Sequence, residues 1–267
     1  MSKLDNSDVL VPLTLTQSHY NTRLKYFSNE YTKVSCFSKP IFNPYGFEKR
    51  GINSRLSYSQ DTSNECRSDS VKRARDRCFE IAYANDFKYF VTLTLDQSKI
   101  SRTDLKPIYN ALKNWLSNGV QRRDMQYIVC PEYHADGNAV HFHGLCNGNL
   151  PLVDSGTVIV QGYEKPISIK KAARLGLDGK TVYNLDNWLY GFSTVIQLDE
   201  NKDAVAKYIL KYITKEQSKI FGKFYFSGGK DLKREVPTEY QNYPYCNFDG
   251  DEHEILKGVL AVKYKTL

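Results

Sequence analysis

The chain has 267 residues, 41% of them hydrophobic, and 37 Lys+Arg against 30 Asp+Glu give it a formal charge of +7 and a pI near 8.9. That is enough for one large domain or a core with extensions, and the mild basic excess permits a polyanionic partner without demanding one. No segment approaches roughly 18 consecutive apolar residues, the N-terminus lacks a basic-then-apolar signal pattern, and the six scattered cysteines include no CxxC pair. The expectation is a soluble cytoplasmic protein without a disulfide framework or zinc ribbon.

Residues 1–67 read as an N-terminal extension, with a short alternating run over residues 9–15 and turns at Pro40, Pro44, Gly46 and Gly51. Ser68, Asp69 and Ser70 can cap a helix running to about Asn85, with Val71, Ala74, Cys78 and Ile81 as its buried stripe. Lys72, Arg73, Arg75 and Arg77 decorate the remainder, either as a solvated face or as contacts to phosphates. Residues 90–95 alternate as a strand, with Val91, Leu93 and Leu95 on one face and Thr92 and Thr94 on the other. Asp104 caps a second helix, and Gly119 sits where its stop is expected.

Residues 127–134 and 139–146 form two strands around Ala135-Asp136-Gly137-Asn138, a strong hairpin signal. Short strands are expected at residues 157–160, 167–169 and 181–185, with a basic loop over residues 170–174 and a longer strand at 192–198. A helix then opens at Asn201 or Asp203 and ends near Glu216, and residues 224–226 look like a last core strand stopped by Gly228 and Gly229. Residues 229–267 are a C-terminal extension, leaving 68–228 as the core. Without a regular βαβ rhythm, the fold class is α+β, with helices packed on an antiparallel sheet.

His141 and His143 flank one apolar residue, Phe142, so strand alternation puts both imidazoles on one face and Phe142 in the core. With the turn centred on Asp136-Gly137, Glu132 falls directly opposite His141. Two imidazoles and a carboxylate suit Mg²⁺ or Mn²⁺, and Zn²⁺ less selectively. His134 shares Glu132's face and competes as third ligand. Cys146, three residues past His143, points to the other face. In the later helix, Tyr208 and Tyr212 are one turn apart and Lys215 falls on the same face, while Val205, Ile209 and Ile213 anchor another. A phenol that attacks a phosphodiester stores the bond energy as phosphotyrosine, and Lys215 can neutralise a phosphate oxygen. Paired histidines followed by helical tyrosines therefore point to a nuclease that cuts single-stranded DNA and stays joined to it.

These residues carry a resemblance. Residues 90–96 (FVTLTLD), 131–145 (PEYHADGNAVHFHGL) and 208–215 (YILKYITK) resemble the three ordered motifs of rolling-circle replication initiators of phages and plasmids, in the HUH endonuclease superfamily. The blocks YGFS at 190–193 and FGKFYFS at 221–227 also resemble phage replication-associated proteins. The resemblance implies an RRM-like sheet with the histidines on a central strand and the tyrosines on a facing helix. It implies metal ligation by His141, His143 and Glu132, nucleophilic Tyr208 and Tyr212, assisting Lys215, and DNA contacts from Lys72, Arg73, Arg75, Arg77 and Lys211. Single-stranded origin DNA is the implied partner, inside a bacterial host cell. With no Walker motif in the chain, helicase and polymerase come from the host. Other readings are a relaxase, whose nucleophilic tyrosine precedes the histidines, a single-tyrosine transposase, a non-catalytic single-strand-binding protein and an unrelated zinc hydrolase.

Overall fold

The computed structural model describes residues 11–12, 19–27, 31–42, 68–134, 137, 139–163, 165–199, 202–215, 219–256 and 260–266. The chain divides into two compact units, residues 1–56 with 235–267 and residues 57–234. The first begins with β1 (Val11–Pro12), β2 (His19–Tyr26) and β3 (Thr32–Phe42). The rest of the alternating run over residues 9–15 lies outside the described residues.

The second unit carries α1 (Ser68–Ala84), β4 (Tyr89–Leu95), α2 (Leu105–Arg123), β5 (Tyr127–Tyr133), β6 (Val140–Cys146) and β7 (Leu152–Ile159). It continues through β8 (Ile167–Ser168), α3 (Ile169–Arg174), β9 (Lys180–Leu185), β10 (Gly191–Gln197), α4 (Lys202–Lys215) and β11 (Phe226–Gly228). Its eight strands form one antiparallel sheet in the order β11-β5-β6-β4-β10-β9-β7-β8. The α+β class expected from the sequence is the one observed. The chain's last strands, β12 (Thr238–Asn242), β13 (Asp251–Leu256) and β14 (Leu260–Thr266), return to the first unit, whose six-stranded sheet has the order β1-β12-β2-β3-β14-β13.

In the second unit α2 covers one sheet face. Asp104 caps it, its side chain accepting from the Lys106 N–H at 3.1 Å. The 3.6-residue spacing of Ile108, Leu112, Trp115 and Leu116 buries that stripe against Val91, Leu93, Val129, Val140 and Phe142. Burying each such side chain contributes about 1.5–3 kcal/mol, and this layer is what holds β4 and β6 flat against a common core. Helices α1 and α4 lie on the opposite face. There the Cys78 thiol of α1 meets that of Cys130 in β5, with burial pushing the Cys78 thiol up, and Ala206 and Ile209 of α4 are fully buried. Val205 is only half-buried, and the side chain of Ile213 lies outside the described residues.

Three local expectations are corrected. Gly119 does not stop α2; the helix runs on to Arg123 and ends at Asp124, which takes the left-handed conformation at φ 49°. Gly119 instead admits Met125, whose Cε would lie 2.3 Å from any Cβ placed there. The basic stretch 170–174 is the short helix α3 rather than a loop, because the Ser168 side chain accepts from the Lys171 N–H and Ala172 is buried against Val158 and Val160. The last strand runs Phe226–Gly228 rather than 224–226, and Gly228 is within it, paired with Tyr127. Among the described residues no helix is long and apolar enough to cross a membrane.

Candidate metal centre and nucleophile helix

The β5–β6 hairpin places Glu132 directly opposite His141, the register expected from its turn. Of that turn, residues 135, 136 and 138 lie outside the described residues, and Gly137 has φ 73°. Strand alternation sends Phe142 into the core, fully buried and stacked on Phe221 at 6.3 Å, and turns both imidazoles to the opposite face. Cys146 is buried in that same core cluster, away from the histidines, where burial pushes its thiol well up.

Glu132 is the structural centre of the group. Its side chain is buried at 1% exposure, and its Oε2 lies 3.2 Å from His141 Nε2 and 3.1 Å from His143 Nε2. Three ligand atoms from Glu132, His141 and His143 all fall within 4.8 Å of one another. Without a cation, each imidazole Nε2–H donates to that carboxylate; a divalent ion would take the place of those two protons. Two imidazoles and a carboxylate form a mixed nitrogen and oxygen set suited to a divalent cation. A further sign of fit is His141 Nδ1, buried with no hydrogen-bond partner among the described residues, a cost of about 1–3 kcal/mol. His134, the competing third ligand, packs its ring edge-on against His141 at 4.2 Å and is not part of the three-residue group.

Two residues that sequence reasoning left out of the site belong to it. Thr92 pairs across β4–β6 with His143, and its Oγ1 lies 3.1 Å from His143 Nδ1, which keeps Nε2 aimed at Glu132. Phe90, two residues earlier on the same face, stacks on the His143 ring at 5.9 Å and 17°. Tyr208 of α4 meets Phe90 edge-on at 4.7 Å and 77° and is 44% exposed. The first expected nucleophile is thus one ring away from a candidate metal ligand. The period-2 pattern of residues 90–95 had already put Thr92 and Thr94 on one face; what it lacked was the pairing of β4 with β6.

Tyr212 and Lys215 lie in α4 beyond Tyr208, but their side chains lie outside the described residues. The remaining cations are distributed over the helices on the site face. Lys72, Arg73 and Arg75 are exposed on α1, and Lys211 is exposed on α4. Arg77 is engaged locally, its Nη1 reaching Glu80 Oε2 and the Arg234 carbonyl, each at 3.5 Å.

Residues 88–217 match the family model of the ORF2-type replication-associated proteins. The matched stretch begins at the foot of β4 and ends just past α4, so it takes in Thr92, Glu132, both histidines and both tyrosines. This part of the chain is similar to replication-associated proteins, which supports a role as a replication initiator. No curated protein and no solved structure matches the chain.

Proposed function

We propose that the chain initiates rolling-circle replication by nicking and rejoining single-stranded origin DNA, with Glu132, His141 and His143 holding Mg²⁺ or Mn²⁺ and Tyr208 and Tyr212 as nucleophiles. The observation that carries the reading is an exposed helical phenol, Tyr208, joined through Phe90 to His143 in a buried two-histidine, one-carboxylate group. The match of the same stretch to replication-associated proteins supports it independently.

When bound, the cation polarises a non-bridging oxygen of the scissile phosphate and offsets the charge that develops there. The phenol oxygen of Tyr208 attacks phosphorus and a tyrosyl O–P bond forms as the bond to the preceding 3′ oxygen breaks. The phenol proton passes to solvent, and the departing 3′ oxygen takes one up. The products are a free 3′-hydroxyl and a 5′-phosphotyrosine, and attack by a 3′-hydroxyl on that link restores the phosphodiester. Helical spacing brings Tyr212 onto the face of Tyr208 for a second transfer, and Lys215 onto it to neutralise a phosphate oxygen. Lys72, Arg73, Arg75 and Lys211 track the flanking backbone, with Arg77 joining them only by leaving Glu80. Unwinding and synthesis fall to host helicase and polymerase in the bacterial cytoplasm.

A denaturing gel of the protein with Mn²⁺ and single-stranded oligonucleotides, including the element's own intergenic DNA, tests the proposal. A chelator-sensitive covalent adduct mapping to Tyr208 or Tyr212 is expected. Binding without any adduct would replace the nuclease reading with a single-strand-binding protein.

A further inference from the structure

The histidine face of the sheet is laid out in cross-strand rows. Ile196, Phe90, Leu145 and Ile128 form an inner row, and Thr194, Thr92, His143 and Cys130 a middle one. The outer row reads Phe192, Thr94, His141, Glu132 across β10, β4, β6 and β5. Inner-row apolar residues are buried or half-buried, as apolar residues on a packed face should be. Phe192 is the exception: it stands in the metal-group row with 68% of its surface exposed.

Its position is tightly held. Next to it, Gly191 lies so close to β4 that an added Cβ would come within 2.2 Å of the Thr94 carbonyl oxygen. The Asp96 N–H donates to the Tyr190 carbonyl at 2.9 Å, and Trp188 Nε1–H donates to the Thr94 carbonyl at 3.1 Å. Phe192 is therefore a bare ring on a rigid strand, two strands from His141, or about 10 Å at the usual spacing of about 4.8 Å.

Cations stand at the same end. Asp96, one residue past β4, is bonded by the Ser98 N–H and hydroxyl at 2.9 and 2.8 Å, and Lys99 and Arg102 act on its carboxylate. The Arg102 carbonyl accepts from the N–H of Val140, next to His141, and its buried Nε atom has no hydrogen-bond partner among the described residues. A flat apolar ring beside two cations and a phosphate-activating group fits one ligand chemistry, a nucleotide of an unpaired strand.

We infer that Phe192 is a stacking platform for an unpaired base of the strand held at the Glu132–His141–His143 group, with Lys99 and Arg102 on the adjoining phosphate. The inference takes the identity of its ligand from the nuclease reading above. Ten ångströms is about three steps at the 3.4 Å rise of a stacked strand, and fewer if the strand is stretched. The platform thus positions the scissile phosphate by gripping a base close to it.

The test compares wild type, Phe192→Ala and Phe192→Trp in the full chain. Binding of a mixed-sequence 20-nucleotide single strand, and of an equally charged strand made wholly of abasic sites, is followed by fluorescence anisotropy in chelator. Phe192→Ala is expected to weaken binding of the base-bearing strand by about 5- to 150-fold, to leave the abasic strand unchanged, and to melt like wild type because the ring is exposed. Phe192→Trp restores the affinity. Equal affinities for wild type and Phe192→Ala, an equal loss on both strands, or a change in oligomeric state in place of affinity would each overturn the inference. The adduct assay on the same preparations separates the two ideas. An adduct with no Phe192 dependence sinks the platform alone, and a Phe192-dependent base preference without any adduct sinks the nuclease chemistry alone.

Discussion

Glu132→Gln removes the charge at the centre of the candidate metal group while keeping its size, so the buried packing survives. The amide keeps one acceptor oxygen, but its NH₂ cannot accept from the second imidazole or serve a cation. For wild type, free Mn²⁺ at 100 times its dissociation constant stabilises the folded state by about 2.7 kcal/mol. In a unit the size of residues 57–234, each kcal/mol moves the melting temperature by about 2–4 °C, so a rise of about 5–11 °C is expected. Losing an outer-shell partner costs about 10–100-fold in affinity, and a direct ligand costs at least the upper end of that range. At the same Mn²⁺ concentration a 100-fold loss leaves only about 0.4 kcal/mol, a rise of about 1–2 °C. Thermal melts followed by fluorimetry across a Mn²⁺ titration, with chelator as baseline, read this directly. His134→Ala, at a ring packed beside the group rather than in it, should keep most of the shift. If Glu132→Gln retains the full rise while His134→Ala loses it, the assignment of the carboxylate is wrong.

Thr92→Val removes the hydroxyl beside His143 Nδ1; Mn²⁺ affinity should fall about 10–100-fold, with the adduct yield recovering at saturating metal. The double substitution Tyr208→Phe with Tyr212→Phe should abolish the adduct while preserving the Mn²⁺-induced melting shift, and persistent covalent product would mean that the nucleophile lies elsewhere. Burial, reinforced by nearby Cys78, pushes the Tyr225 phenol up to about 12. The unfolded chain loses that proton near pH 10 while the folded protein keeps it, so the contribution is complete below pH 10 and declines between about pH 10 and 12. The slope is at most about 1.4 kcal/mol per pH unit, less what solvent screens. Urea midpoints from pH 9 to 11.5 should fall more steeply for wild type than for Tyr225→Phe, and parallel curves would refute the linkage.

What could be read from the sequence was what short-range geometry enforces. Strand period put His141 and His143 on one face and Phe142 behind them, and a short hairpin fixed the Glu132–His141 register within nine residues of chain. Helical period set Ile209 inward and left Tyr208 exposed. Local signals misled where packing overrode them: Gly119 has the look of a helix stop, yet it sits inside α2 to make room for Met125. The basic face of 170–174 concealed a helix that one buried alanine anchors.

The tertiary structure decided which distant strands lie side by side. Thr92 meets His143 across 51 residues of chain, Phe192 reaches the metal-group row only because β10 pairs with β4, and β12 and β14 return to pair with β2 and β3. Every residue but proline offers the same backbone donor and acceptor, so ladder bonds alone do not name a partner strand. The choice falls to burial of whole faces, which is settled only when α2 closes over Val91, Val140 and Phe142 and the site face is left open behind them.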